Sequence, residues 1–519
     1  MGKNNKMQLN ILIGGQAGQG VNKISEIVSK VLVSQGYFIF NYRDYPSLIR
    51  GGHNFNVLSV SDKWIASNES KLDILVAIDE NTVKKHKNEL KKEGIILNSE
   101  KFKDMGRNIN VALSGALIKV LGFDKKILIN EIERQFKSKE ANESAEKGYE
   151  SVESKFNFKK LDNKISIMSG SKAIAQGAIN SNIDLFLAYP MTPATNVMHE
   201  LAKVASKQSK EGSGENSLMV FQPENEIAVV NSALGASFAG AKTMIGTSGG
   251  GYDLMTEGLS FQGMSEIPLV CYLCARPGPG TGVPTYSSQA DLDVALRGGH
   301  GEFPRVVIAP GDTLECIEAI NEAFYLSEKC RCLSVILSDK HLAESEFSAD
   351  KKINKIIKIE IKRKLPGEAI VKASSYEHDK LGNTIEDAET TKKSAERRLK
   401  RYKELKKECE KFQMIKIHGN KNSKNLIIGW GSTKGAILDA IKNEDFKFLQ
   451  VLYMKPLSNN IRKEMQKADK IILVENNSTG QLGRLIREKT GIKIENRILK
   501  YDGRAFKSDE LRKELKKIK

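Results

Sequence analysis

Glu226 is the acidic residue whose surroundings in the sequence most favour chemistry. It begins the segment 226–241, which is rich in Ala, Gly and Ser, and such small residues allow very close helix packing. A carboxyl group there is poorly solvated, holds a proton more readily and suits proton exchange with a heteroaromatic nitrogen. Judged from these residues alone, a solvated first-turn glutamate favoured by the helix dipole is the commoner arrangement. Glu224 points to roughly the opposite side of a helix, so only one of the two can meet a given ligand.

Two turns that follow apolar strands present polar side chains or bare backbone. Residues 189–193 have the sequence Tyr-Pro-Met-Thr-Pro. The prolines stiffen this turn and present the hydroxyl of Thr192 at the carboxyl end of a strand, where open α/β sheets bind ligands. The alternative is a helix N-cap role for Thr192. Residues 247–251, Thr-Ser-Gly-Gly-Gly, admit a flat ligand or an anion against their backbone, or form a flexible turn without a ligand.

Arg276 comes directly after the apolar segment 267–275. An arginine at the carboxyl end of a strand can bind a carboxylate with two parallel hydrogen bonds. The alternative is an ion pair on the surface or between subunits.

The glycine-rich segment 14–20 lies between a predicted strand and a predicted helix, 22–34. Backbone N–H groups at such a junction can hold a phosphate. The glycine spacing is not the dinucleotide fingerprint, although Asp44 lies at about the distance of the fingerprint's acidic residue. Close packing of the turn is the alternative to a nucleotide site.

Six cysteines are too few for a disulfide scaffold in a chain of 519 residues. Cys271 and Cys274 form a C-x-x-C pair, but both lie in the apolar segment 267–275, a predicted buried strand. Residues three apart on a strand point to opposite faces, so a shared metal is disfavoured. We therefore predict buried thiols and no metal site.

The composition indicates a folded protein with a basic surface. Forty per cent of the residues are apolar, and the length suggests about three domains. No apolar run approaches the ~18 residues that span a bilayer, and the first residues show no cleavable signal, so we expect a cytoplasmic protein that is not bound to a membrane. The net charge of +17 favours a solvated basic surface over nucleic-acid binding, with a docking face for an acidic protein as an alternative.

Strand and helix patterns alternate along the chain, which predicts an α/β protein. The predicted divisions are an α/β domain with a parallel or mixed sheet at 7–163, a second α/β domain at 164–348, a charged linker with a helix at 349–420, and a small α/β domain at 421–519. In the second domain, six short apolar strands predict a doubly wound sheet with both faces covered. These strands are 185–190, 218–222, 243–248, 267–275, 305–310 and 333–339. In the last domain, the predicted strands are 425–431, 448–454 and 470–476.

Taken in order, these motifs resemble those of the 2-oxoacid:ferredoxin oxidoreductase family, specifically an alpha subunit with the gamma domain fused in front. The resemblance covers nearly the whole chain, and the order of the motifs is more specific than any one of them. The motifs lie at 14–21 (Gly-Gly-Gln-Ala-Gly-Gln-Gly-Val), 49–52 (Ile-Arg-Gly-Gly), 189–193, 222–241, 275–285, 289–292 (Gln-Ala-Asp-Leu), 377–379 (Glu-His-Asp), 397–398 (Arg-Arg), 429–432 (Gly-Trp-Gly-Ser), 475–477 (Glu-Asn-Asn) and 480–482 (Gly-Gln-Leu).

The resemblance implies thiamine diphosphate shared between an alpha-type and a beta-type subunit, in a pyrimidine-binding domain at 164–348 that is followed by a transketolase C-terminal-like domain. Glu226 matches the catalytic glutamate that hydrogen-bonds the aminopyrimidine ring, and Gly235, nine positions later, favours it over Glu224. Thr192 and Arg276 match residues that bind the oxo-carboxylate of the substrate. Further cofactor-binding residues are Tyr189, Pro190, Thr247, Ser248 and Gly249.

The same resemblance places two further groups on the partner. The chain lacks the Gly-Asp-Gly motif that holds the diphosphate through Mg²⁺, and it has no array of cysteines for an iron–sulfur cluster. A beta subunit would supply both the Mg²⁺ site and the cluster. Ferredoxin would take the electrons, and coenzyme A would accept the acyl group.

Departures from the family pattern bear on the substrate. Gly250 stands where the family usually has proline, and Pro277 and Gly280 replace a glycine and a serine. The fused arrangement and the region around Arg276 favour 2-oxoglutarate or a broad range of 2-oxoacids. The alternatives are a relative specific for pyruvate or indolepyruvate, a non-catalytic assembly subunit, and a nucleotide-binding module that uses 14–20.

Overall fold

The computed structural model of the chain describes residues 8–47, 51–210, 218–350, 356–360, 362–371 and 374–518. The chain divides into two compact units. Unit 1 comprises Met1–Met168, Ser345–Lys352 and Phe506–Leu515, and unit 2 comprises Ser169–Glu344, Ile353–Ala505 and Lys516–Lys519. The domain bounds given above stay predictions. In the Ile-Arg-Gly-Gly motif, Ile49 and Arg50 lie outside the described residues.

The described residues form the following elements in chain order. The strands are β1 (Gln8–Gln16), β2 (Phe38–Asp44), β3 (His53–Ser61), β4 (Leu72–Ala77), β5 (Leu90–Asn98), β6 (Ser166–Ser169), β7 (Leu185–Leu187), β8 (Met219–Phe221), β9 (Thr243–Thr247), β10 (Leu269–Ala275), β11 (Arg305–Ile308), β12 (Leu333–Asp339), β13 (Glu346–Ala349), β14 (Ile415–Gly419), β15 (Asn425–Trp430), β16 (Lys447–Val451), β17 (Tyr453–Lys455), β18 (Lys470–Glu475) and β19 (Asn496–Leu499). The α-helices are α1 (Val21–Ser34), α2 (Glu80–His86), α3 (Ile109–Leu121), α4 (Lys125–Phe136), α5 (Lys139–Glu150), α6 (Gly170–Asn180), α7 (Thr195–Lys210), α8 (Glu226–Phe238), α9 (Gly249–Ser265), α10 (Leu292–Arg297), α11 (Thr313–Cys330), α12 (Lys340–Glu344), α13 (Ala388–Cys409), α14 (Thr433–Ala440), α15 (Asn460–Gln466), α16 (Gln481–Thr490) and α17 (Ser508–Ile518).

Unit 1 is built on a seven-stranded sheet in the order β5-β4-β1-β3-β2-β13-β6. β1 lies parallel to β4 and antiparallel to β3, so the sheet is mixed, one of the two predicted forms. The predicted apolar face of α1 is buried in this core, through Ile24, Ile27, Val28, Val31 and Leu32. Sequence patterns missed β13 because it has only four residues, and two of them are polar.

Unit 2 contains the predicted doubly wound sheet, in the order β17-β11-β12-β10-β9-β7-β8. β8, β7, β9, β10, β12 and β11 run parallel, which confirms the prediction from six apolar strands. From β7 the chain first adds β8 on one side and then β9 on the other. The strand order therefore reverses between β7 and β9, and such a switch point is where open α/β sheets bind ligands.

The two cysteines of the C-x-x-C pair occupy opposite sides of β10. Cys271 belongs to a core shared with Val230 of α8 and Leu259 of α9. Cys274 instead accepts a hydrogen bond from Tyr272, 3.3 Å from its sulfur. Burial raises the pKa of both thiols. Within the described ranges, no group of three or more His, Cys, Asp or Glu residues could hold a metal ion.

The third sheet, also in unit 2, has the order β14-β16-β15-β18-β19. The structure corrects one strand of this region: residues 448–454, which sequence patterns predict as one strand, are divided between β16 and β17. The chain turns at Leu452, which accepts a hydrogen bond from Ala309 N at 2.7 Å, and β17 then joins the edge of the doubly wound sheet beside β11. The predicted linker helix is confirmed as α13. None of the helices described here is long and apolar enough to cross a bilayer.

Candidate functional site

The carboxyl ends of β7, β9 and β10 bring together three of the predicted segments. The turn 189–193 follows β7, Thr247 and Ser248 lead from β9 into α9, and Arg276 follows β10. The strands are neighbours in the order β10-β9-β7, so these segments lie side by side along one edge of the sheet, at its switch point.

Glu226 is the first residue of α8 and only 3% of it is exposed, whereas Glu224 is exposed. Asn225 caps the helix, since its side chain accepts a hydrogen bond from Ala228 N at 2.9 Å. The Oε1 atom of Glu226 is buried and has no hydrogen-bond partner among the described residues. A buried acceptor without a partner is costly, and this arrangement leaves Glu226 able to bond to a donor brought by a ligand.

The glycines at 249–251 are helical residues that two acidic side chains contact closely. A Cβ atom on Gly251 would lie 2.1 Å from Thr247 Oγ1 and 2.8 Å from Glu226 Oε1. A Cβ atom on Gly249 would lie 2.5 Å from Asp291 Oδ2. Glycine at these two positions therefore lets the first turn of α9 approach both carboxyl groups.

Arg276 is half-buried and reaches the turn after β7. Its Nη1 donates a hydrogen bond of 2.8 Å to the main-chain oxygen of Thr192. Burial lowers the pKa of Arg276, and the negative charges of Asp291 and Glu226 oppose that effect. α7 begins at Thr195, three residues after Thr192, so the structure does not give Thr192 the N-cap role considered above.

Sequence reasoning assigned no role to Asp291, which the structure brings to this site. Its Oδ2 atom is buried and has no hydrogen-bond partner among the described residues. Burial raises the pKa of Asp291 to about 6, Asp253 adds to the shift, and Arg276 opposes it. The one signal available in the sequence was its place in the Gln-Ala-Asp-Leu motif.

Apolar side chains are exposed on the elements that end or begin at this edge of the sheet. They are Tyr189 after β7, Phe221 at the end of β8, Ile227 in the first turn of α8 and Leu254 on α9. Pro190 is also exposed. We call these five residues the apolar rim. Exposed apolar residues gathered beside a buried acid are typical of an interaction surface.

The glycine-rich segment 14–20 belongs to unit 1. Three of its four glycines pack closely, whereas a Cβ atom on Gly18 would have no neighbour within 4 Å among the described residues. A Cβ atom on Gly20 would lie 2.5 Å from Asn110 Nδ2, and one on Gly14 would lie 2.6 Å from Thr82 Cγ2. These contacts favour the close-packing interpretation of this turn over a nucleotide site.

Two known families match the chain. The family described as "Pyruvate flavodoxin/ferredoxin oxidoreductase, thiamine diP-bdg" matches residues 176–413, which include every predicted site residue. The family described as "Pyruvate ferredoxin/flavodoxin oxidoreductase" matches residues 10–108. The 2-oxoacid:ferredoxin oxidoreductase subunit alpha of Sulfolobus sp is 32% identical over 620 aligned positions, which cover 99% of this chain and 97% of that protein. The chain belongs to the 2-oxoacid:ferredoxin oxidoreductase alpha-subunit family.

Two further proteins are similar to this family member. The 2-oxoglutarate synthase subunit KorA of Archaeoglobus fulgidus is 35% identical over 184 residues, covering 35% of this chain and 51% of KorA. The solved structure of 2-oxoglutarate:ferredoxin oxidoreductase from Magnetococcus marinus, with 2-oxoglutarate, coenzyme A and succinyl-CoA bound, has a TM-score of 0.88 and is 24% identical. The match covers 99% of this chain and 100% of that one, and it shows that the two share their fold. The chain is thus an oxidoreductase subunit with a thiamine-diphosphate-binding region.

Proposed function

We propose that this alpha subunit, with a gamma-type domain at its N-terminal end, takes part in the coenzyme-A-dependent oxidative decarboxylation of a 2-oxoacid, with ferredoxin as the electron acceptor. The observation that supports this proposal is the buried Oε1 atom of Glu226, which has no hydrogen-bond partner among the described residues and lies at the switch point of the sheet. We propose 2-oxoglutarate, or a broad range of 2-oxoacids, as substrate. The names of KorA and of the Magnetococcus enzyme favour 2-oxoglutarate.

The residues at the switch point fit the pyrimidine end of thiamine diphosphate. Glu226 offers a buried acceptor to a ring nitrogen, and Thr247 approaches the same point beside Gly251. The buried Oγ atom of Ser248 also has no hydrogen-bond partner among the described residues. Tyr189 and Pro190 give an apolar surface at the opening. When bound, the cofactor supplies the nucleophilic carbon and the electron sink that decarboxylation requires. Glu226 holds and exchanges the proton at the ring nitrogen, and burial keeps competing water from its carboxyl group.

Arg276 and Thr192 are the groups we assign to the substrate. Among the hydrogen bonds of the described residues, the guanidinium uses only Nη1, toward the main chain of Thr192. The rest of its planar group can bind a carboxylate, and the hydroxyl of Thr192 can donate to the neighbouring oxo group.

We assign the apolar rim to contact with a beta-type subunit. Apolar residues exposed around a buried polar site favour a protein partner that would also exclude water from Glu226. In this proposal the partner holds the Mg²⁺-bound diphosphate and an iron–sulfur cluster that passes electrons to ferredoxin. A cytoplasmic location is part of the same proposal.

The test is the Glu226→Gln variant in the complex reconstituted with its beta subunit, with Glu224→Gln as the matched control. Removal of a positioned acid–base group costs about 10²–10⁴ in rate. We expect coenzyme-A-dependent viologen reduction to fall by at least about 100-fold for Glu226→Gln. Glu224 is exposed, so its variant should retain the rate of the wild type. Full activity of Glu226→Gln would contradict the role.

The same assay separates the alternatives. Comparing 2-oxoglutarate, 2-oxobutyrate, pyruvate and indolepyruvate identifies the preferred acyl chain. A wild-type complex that assembles but reduces no dye with any of them would favour a non-catalytic assembly subunit.

A further inference from the structure

Gly250, in the first turn of α9, presents bare backbone to the loop that follows Arg276. Successive residues of an α-helix point about 100° apart, so Gly249, Gly250 and Gly251 face three different neighbours. The first and the last of them pack closely against the carboxyl groups described above. Gly250 is exposed, and the nearest atom to a Cβ atom there would be Gly280 O, at 3.9 Å. The backbone of α9 therefore meets the backbone of that loop with no side chain between them.

The loop 277–283 closes on itself. Val283 N donates a hydrogen bond of 3.1 Å to Pro277 O. Gly282 has a φ of +54°, and a Cβ atom there would lie 1.9 Å from Pro277 O, so the closing turn requires glycine. Gly280, near the tip of the loop, is exposed, and no atom of the described residues lies within 4 Å of where its Cβ atom would be. The tip of the loop thus adds a second stretch of bare backbone opposite the first turn of α9.

Contacts at the base of the loop hold it in place without help from α9. Tyr286 N donates to Val283 O at 3.2 Å, and Ser287 N donates to Gly503 O at 3.0 Å. The guanidinium of Arg504 lies over the ring of Tyr286, 3.6 Å from its centre. Because these contacts lie on the side of the loop away from its tip, the space in front of α9 is set by the fold.

We call the space beside the bare backbone of Gly250 and Gly280 the glycine-lined opening. It adjoins the candidate site, because Gly250 precedes the glycine that contacts Glu226 and the loop begins directly after Arg276. The buried Oε1 atom of Glu226 and the buried Oγ atom of Ser248 have no hydrogen-bond partner among the described residues. Buried polar atoms without partners indicate that a ligand completes this part of the molecule.

We propose that the glycine-lined opening receives the acyl side chain of the 2-oxoacid, and that glycine at positions 250 and 280 gives this subunit a broad range of chain lengths. This inference rests on the proposed function, in which Arg276 and Thr192 hold the carboxylate and the oxo group. The third substituent of the oxo carbon must then point away from both residues. The opening adjoins them and carries no side chain that would select one length, so a methyl group and a longer chain both fit.

The test is Gly250→Leu in the complex reconstituted with its beta subunit, assayed with pyruvate, 2-oxobutyrate and 2-oxoglutarate. Leucine is a good helix former, and its side chain would fill the opening. One methylene group in a binding pocket changes kcat/KM by about 10- to 200-fold. We therefore expect kcat/KM for 2-oxoglutarate, relative to that for pyruvate, to fall at least about tenfold, and to fall less in Gly250→Ala.

The matched control is Gly235→Leu. Gly235 is also an exposed glycine in a helix, and no atom of the described residues lies within 4 Å of where its Cβ atom would be. It is nine residues from Glu226 along α8, or about 13 Å, so its variant should keep the substrate ratio of the wild type.

Four results would overturn the proposal. They are a wild type confined to one of the three substrates, an unchanged substrate ratio in Gly250→Leu, an equal loss for all three substrates, and a Gly250→Leu chain that no longer assembles with the beta subunit. The last result, read by size-exclusion chromatography, would show that the opening receives the partner. If Glu226→Gln loses activity while Gly250→Leu keeps the ratio of the wild type, the proposed function stands and only this inference fails.

Discussion

Arg276 Nη1 donates a 2.8 Å hydrogen bond to the main-chain oxygen of Thr192, a residue 84 positions earlier in the chain. β9 lies between the strands that these residues follow. Because neighbouring strands are about 4.8 Å apart, β7 and β10 lie roughly 10 Å apart. The hydrogen bond therefore ties the turn after β7 to the turn after β10, across the carboxyl end of β9.

Arg276→Lys should weaken substrate binding. The single ammonium group of lysine cannot bond to Thr192 O and also bind a carboxylate in two places. Loss of a hydrogen bond to a charged group costs about 1.5–3 kcal/mol, which predicts roughly a 10- to 150-fold higher KM for the 2-oxoacid. Arg297→Lys is the control, because Arg297 is exposed and pairs with Asp293 and Glu488 at the surface. A KM for Arg276→Lys within twofold of the wild type would contradict the substrate role.

Gly250→Ala and Gly251→Ala should have opposite effects although the residues are adjacent. The nearest atom to a Cβ on Gly250 is Gly280 O, at 3.9 Å. Alanine is favoured over glycine in a helix by about 0.8–1 kcal/mol, so Gly250→Ala should raise the melting temperature slightly. A Cβ on Gly251 would collide with Thr247 and Glu226. Gly251→Ala should therefore lower the melting temperature.

Calorimetry on the reconstituted complex then measures how tightly each of these two variants binds thiamine diphosphate. Gly251→Ala must displace Glu226 or α9, so it should lose affinity for thiamine diphosphate, while Gly250→Ala should keep it. Equal affinities in the two variants would show that Glu226 does not depend on its contact with Gly251.

Local patterns were enough to predict the doubly wound sheet, since each of its strands is a short apolar run followed by a helical pattern. They also predicted the helices α1 and α13. In addition, they placed Thr192 and Arg276 just after the strands that became β7 and β10. Patterns failed where pairing partners are distant. The last residues of the strand predicted at 448–454 form β17, which pairs with β11 in another sheet. β13 pairs with β2, a strand some 300 residues earlier in the chain.

The close contacts of the site were equally hidden from the sequence. Glu226 and Gly251 belong to different helices, and Asp291 approaches Gly249 from a segment that Gln481 of α16 contacts through Ala290 O. Spacing along the chain carries no information on either contact. Residue types predict the chemistry, and the fold shows which of those residues lie close together.

Lys434→Met should strongly destabilise unit 2. Lys434 Nζ donates to Glu315 Oε1 at 2.6 Å and also bonds to Asp312, and both Lys434 and Glu315 are buried. Removal of one member of a buried ion pair costs about 3–5 kcal/mol, and Lys416, 2.9 Å from Glu315, should keep the loss near the lower end. Chemical denaturation measures this loss as a change in the free energy of unfolding. Lys393→Met, which breaks an exposed pair with Glu389, should cost less than about 1 kcal/mol.

The same cluster predicts a loss of stability in acid. Burial alone would raise the pKa of Glu315, but Lys434 and Lys416 lower it to about 2. The unfolded chain binds a proton at this residue near pH 4.5, so the contribution is complete above that pH and is lost as the pH falls toward 2. Glu315→Gln should lose this dependence, and a denaturation profile between pH 5 and 2 identical to that of the wild type would contradict the assignment.

Unit 1 should lose stability between pH 6.5 and 4 because of His53. Burial and the neighbouring His86 lower the pKa of His53 to about 4. The Nε2 atoms of His53 and His86 are 2.8 Å apart, and His86 Nδ1 lies 2.7 Å from Glu89 Oε1. Two ring nitrogens at that distance share one hydrogen, so at least one ring must be neutral. The unfolded chain takes up a proton at His53 near pH 6.5, whereas the folded chain does so only near pH 4.

Hydrogen exchange on the full chain tests this dependence in β3, which begins at His53 and pairs with both β1 and β2. After correction for intrinsic rates, protection of β3 peptides should fall between pH 6.5 and 4 in the wild type and fall less in His53→Gln. His199→Gln, which changes an exposed histidine of α7, should behave as the wild type. An equal fall in the protection of β3 in all three proteins would contradict this prediction, because His53 would then not be the group whose protonation opens the strand.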